Sequence, residues 1–95
     1  MPKLTIEVTE HDIKNGQPCA PECCPIALAF RERWGLDEDE ELHVDKYGIL
    51  IENGNGEETF RCPMPDAGCR FIDDFDAGRP VSPFTLTLTY RKRRA

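Results

Sequence analysis

Five of the 95 residues are cysteines; Cys19, Cys23 and Cys24 stand close together, and Cys62 and Cys69 come later in the chain. A thiolate is both a nucleophile and a soft metal ligand, so this grouping raises two chemistries. The first is metal binding. Structural zinc takes four ligands, commonly as two closely spaced pairs; Cys19 and Cys23 fit that pattern, whereas Cys62 and Cys69 stand wider than the usual knuckle. Cys19, Cys23, Cys62 and Cys69 are therefore the candidate ligands and zinc the candidate metal. Set against this, free cysteine is among the most buried residue types, and the same thiols serve equally as packing. The second chemistry is anion or thiolate stabilisation. Cys23 and Cys24 precede Pro25, the residue that opens an apolar run. At a helix start, unsatisfied N–H groups and the positive end of the helix dipole favour a negative charge. Cys23 and Cys24, with Arg70 as an assisting cation, form a candidate small-molecule or anion site.

An enzymatic reading finds little support. There is no C-x-x-C, His11 and His43 are far apart, and the one serine, Ser82, lies in a linker. Asp73, Asp74 and Asp76 lack the spacing of a calcium loop, and Gly54-Asn55-Gly56 is not followed by the lysine and helix of a phosphate loop. The expectation is a protein without catalytic residues and without an obligatory cofactor, zinc excepted.

Charge narrows the partners. Eighteen acidic residues face twelve basic ones, a net of −6, and Arg91, Lys92, Arg93 and Arg94 are four of the twelve. Without them eight cations oppose eighteen acids, so residues 1–90 carry −10. Such a body is repelled by nucleic acid, whose binding depends on lysine and arginine neutralising phosphate. Nucleic acid is accordingly not an expected partner, unless through the basic tail. A protein with a basic surface suits the body better, and Asp37, Glu38, Asp39, Glu40 and Glu41 are the candidate interaction residues. The plainer alternative is that these charges keep the protein soluble.

The elements that must position these groups are legible from periodicity. Leu4, Ile6 and Val8 alternate with polar residues as in a half-buried strand, and Phe84, Leu86, Leu88 and Tyr90 do so again. Thr9 to Asp12 can cap a helical turn over 10–16, ended at Asn15-Gly16 by residues tolerant of the left-handed conformation. Pro25 and Gly35 bracket a helix with Phe30 at the centre of its apolar face. Leu42 to Ile51 reads as one strand bent near Lys46 to Gly48, joined by the Asn53-Gly54-Asn55-Gly56 turn to a partner strand over Glu58 to Met64. Asp66 is the expected N-cap of a second long helix ending at Gly78, with Gly68, Phe71, Ile72 and Phe75 inward. This order predicts an α+β fold: four antiparallel strands with two helices on one face, ferredoxin-like, the first and last strands in the middle. Another small α+β sandwich is the alternative. Residues 1–90 form one domain and 91–95 a basic tail; the compartment expected is the cytoplasm, the oligomeric state monomer or homodimer, with no membrane segment.

Three stretches also carry a resemblance. His11-x-Ile13-x-x-Gly16, Cys24-Pro25-Ile26-Ala27-Leu28-Ala29 and Phe71-Ile72-x-Asp74-Phe75-Asp76-x-Gly78-x-x-Val81-x-Pro83-Phe84 resemble a family of small hypothetical proteins encoded by phages and prophages, particularly of high-GC bacteria. Residues 36–64 add little to it. The resemblance implies no activity, only a setting: an accessory protein acting inside a bacterial host, in host takeover or against host defence.

Overall fold

The computed structural model describes residues 3–18 and 23–92, the last two as backbone. The described elements run β1 (Lys3–Val8), α1 (Glu10–Asn15), α2 (Pro25–Arg33), β2 (Glu41–Asp45), β3 (Gly48–Glu52), β4 (Glu58–Pro63), α3 (Asp66–Asp76), β5 (Phe84–Thr89) and β6 (Arg91–Lys92). The α+β class holds, but the single four-stranded ferredoxin-like sheet does not form. β1 and β5 pair with each other, Lys3 opposite Thr89 through Val8 opposite Phe84, as a two-stranded antiparallel sheet of their own. β2, β3 and β4 form a separate antiparallel meander, to whose β4 side the two residues of β6 add.

One local part of the difference lies at Asp45. Its carboxylate accepts the N–H groups of Tyr47 at 2.8 Å and Gly48 at 3.1 Å, closing the chain into a tight turn. What reads as one bent strand is therefore two, and residues 41–63 complete a sheet without help from β1 or β5. Gly48 belongs at that turn, because a Cβ there would run into the Cys62 carbonyl oxygen. The second turn follows the Asn-Gly signal: Asn53 accepts from the N–H groups of Asn55 and Glu57, and Gly56 sits at φ 77°.

The two sheets share a seam at Tyr90, which links β5, the partner of β1, to β6, which pairs with β4 from Arg91 on. Phe60 of β4 fills that seam. Its ring lies 5.4 Å from Phe30, 5.0 Å from Trp34 and 5.1 Å from Tyr90, centroid to centroid, and only 1% of the residue is exposed. Around it the core gathers Leu4, Ile6 and Val8 from β1, Ile26, Ala27 and Phe30 from α2, and Leu42, Ile49, Ile51, Leu86 and Leu88 from the strands.

Local signals account for the helices. In α1 the Thr9 hydroxyl accepts from Asp12 N–H while the buried Asp12 carboxylate accepts from Thr9 N–H at 3.0 Å, a reciprocal cap. Gly16 ends this helix for a different reason from the one its type suggests. Its φ is an ordinary −74°, and glycine fits because a Cβ would lie 2.6 Å from the Pro25 ring. α2 starts at Pro25, as expected, and caps on Trp34 rather than at Gly35. α3 begins one residue early, with Pro65 as N-cap, and its end is followed by Gly78 at φ 75°.

Candidate functional site

The structure disperses the described thiols. Cys24 is the N-cap of α2: its sulfur accepts from Ala27 N–H at 3.4 Å, and the residue is 6% exposed. Burial pushes the Cys24 thiol above the ordinary range despite the N–H groups of Ala27 and Ile26, and the Asp76 charge adds to the rise. At this helix start desolvation outweighs the N–H groups, so the Cys24 thiol favours its protonated form. Arg70, the expected assisting cation, is exposed on α3, and Cys23 is exposed beside the cap. Cys62 is buried in the seam, its S–H directed at the carbonyls of Pro63 at 3.2 Å and Thr89 at 3.3 Å, and burial pushes its thiol up to about 11. Cys69 is half-buried on α3 and points its S–H at the Lys46 carbonyl, 3.0 Å away, which pins α3 to the β2–β3 turn. Among the described residues no three potential metal ligands come together; Cys19, the fourth expected ligand, lies outside them.

The acidic run has more order than a solvated loop requires. Asp37 to Glu40 forms a turn, closed by Glu40 N–H on the Asp37 carbonyl at 3.0 Å. The Glu40 carboxylate accepts from Asp37 N–H at 3.0 Å with one oxygen and from the Thr59 hydroxyl at 2.8 Å with the other. Two acids of the run therefore tie the loop to the meander, Glu40 to β4 and Asp39, which accepts from Gly54 N–H at 3.5 Å, to the β3–β4 turn. Asp37, Glu38, Asp39 and Glu41 remain exposed. The loop continues into the outer face of the meander, which strand pairing arranges in rows. Glu41, Glu52 and Glu58 stand opposite one another across β2, β3 and β4; His43, Leu50 and Arg61 form the next row; Asp45, Gly48 and Pro63 form the third. His43 lies 3.7 Å from Glu41 and 3.8 Å from Glu52, and Arg61 donates to Glu58. Across the second and third rows runs a cleft of about 330 Å³, lined by His43, Asp45, Tyr47, Leu50, Arg61 and Pro63. Tyr47, at its lip, is 78% exposed, the one exposed large hydrophobic residue among those described, and Lys46 Nζ lies 5.5 Å from its ring centre.

Sequence reasoning placed the acidic run and missed this cleft. Asp at the first and Gly at the fourth position of Asp45-Lys46-Tyr47-Gly48 is a turn signature, and reading it as a turn would have set Tyr47 at a hairpin tip. No helix among the described residues is long and apolar enough to cross a membrane. Compared with family models, curated proteins and solved structures, the chain gives no match.

Proposed function

We propose that this chain is a small non-enzymatic binding protein, phage-encoded, that acts in a bacterial host by engaging a basic surface on a host protein. The observation that carries this reading is the division of labour in the acidic run. Glu40 holds the loop, through Asp37 N–H and the Thr59 hydroxyl, and Asp39 accepts from Gly54 N–H at 3.5 Å, while the run as a whole, Glu40 apart, stays exposed. A run that serves only solubility gains nothing from being fixed. A run that binds does gain, because less conformational freedom is lost on association. The phage setting is supported by the sequence resemblance alone, and a charged surface directed at a host protein is consistent with it.

The test is capture from bacterial lysate on the immobilised protein at about 50 and about 300 mM NaCl, beside the variant Asp37→Asn/Glu38→Gln/Asp39→Asn/Glu41→Gln. The expected result is a host protein retained by the native chain at low salt, released at high salt and absent from the variant. A partner held equally by both proteins, or indifferent to salt, overturns the electrostatic reading.

A further inference from the structure

The outer face of the β2–β3–β4 meander combines a row of three glutamates with a partly apolar cleft. Glu41 pairs with Glu52 across β2 and β3, and Glu52 with Glu58 of β4 across a register shift at Ile51/Glu52, so that three like charges gather at one end of the sheet, which is destabilising unless they are offset. Arg61 is bound to Glu58, leaving Glu41 and Glu52 with the His43 imidazole between them. The exposed carboxylates of Asp37, Glu38 and Asp39 adjoin the same end of the sheet, and Asp45 carries negative charge to the other side of the cleft. Between these charges lie half-buried Leu50, exposed Pro63 and the Tyr47 ring. A sheet face that gathers like charges beside a hollow with an apolar floor has the character of a binding surface, since local conflicts concentrate at functional sites.

We propose that this face is the docking site for an extended basic segment of a partner protein, one that seats an aliphatic side chain over Leu50 between arginines or lysines paired with the flanking carboxylates. The proposal rests on the reading of the acidic surface given above and names where and how it is used. Charge complementarity selects the occupant. A cation placed between Glu41 and Glu52 relieves their repulsion, and the Tyr47 ring face opposite Lys46 suits a guanidinium. The aliphatic side chain supplies selectivity that charge alone does not.

Two fluorescein-labelled peptides test it, Arg-Arg-Leu-Arg-Arg and Arg-Arg-Ser-Arg-Arg, by fluorescence anisotropy at about 50 mM NaCl and by amide shifts in ¹⁵N spectra of the intact chain. The leucine peptide is expected to bind about fivefold more tightly, the gain from burying part of one aliphatic side chain. Its amide shifts should centre on Gly48, Leu50 and Arg61. Tyr47→Ala, a change at a 78% exposed position that leaves the fold intact, should abolish the difference between the peptides. Glu41→Gln/Glu52→Gln should weaken both. Equal affinities with shifts confined to residues 37–41 would overturn the cleft while leaving the acidic-surface reading standing. Binding of neither peptide would overturn both.

Discussion

Cys62 provides a quantitative check on the packed seam. Its S–H points at the Pro63 and Thr89 carbonyls, and the residue is 1% exposed, so removing the proton would place a negative sulfur against two carbonyl oxygens in a buried site. The folded thiol accordingly titrates at about 11, against an ordinary value of 9.0 that the unfolded chain is expected to show. Because the folded pKa is the higher, the folded state holds its proton more firmly. The associated stability is complete below pH 9 and is lost as pH rises through 11. Linkage between these two values gives a loss of about 1.4 kcal/mol by pH 10. The assay is urea unfolding followed by Trp34 fluorescence at pH 8 and pH 10, in the native chain and in Cys62→Val. The variant lacks the titrating group, so its stability should fall less between the two pH values, by about that amount; the other titrating groups cancel in the difference. At pH 8 the thiolate fraction drops by roughly a hundredfold on folding, so alkylation of Cys62 should be at least that much slower in the native protein than in the urea-unfolded chain. Equal pH dependence in both proteins, or alkylation of folded Cys62 at the unfolded rate, would refute the buried, protonated thiol.

Two further substitutions probe the packing that positions the acidic face. Phe60→Ala empties the junction of the two sheets and should cost about 3–5 kcal/mol, with a change in Trp34 emission because Phe60 packs 5.0 Å from the indole; a loss below about 1 kcal/mol by urea titration would mean the seam collapses freely. Gly16→Ala should destabilise by about 1–3 kcal/mol through its clash with the Pro25 ring although its φ is ordinary, and an unchanged thermal midpoint would show that the α1–α2 junction yields.

What the sequence determined by itself is local. Alternation marks β1 and β5, Pro25 opens α2, Gly78 follows α3, Thr9 and Asp12 cap α1, and the Asn-Gly run makes the β3–β4 turn, because each of these depends on residues within a few positions of one another. The Asp45 turn is equally local, and its signature lay within the apolar run that masked it. The tertiary structure decided which strands share a sheet, since pairing β1 with β5 brings together residues from opposite ends of the chain and competes with every other pairing of similar alternating strands. It decided the fate of the cysteines, because burial of Cys24 and Cys62 follows from what packs over them and not from their spacing. It also decided the candidate site. The acidic run is visible in the sequence as charge, but its anchoring by Glu40 to Thr59, nineteen positions away, and its continuity with the Glu41–Glu52–Glu58 row exist only once the meander has folded.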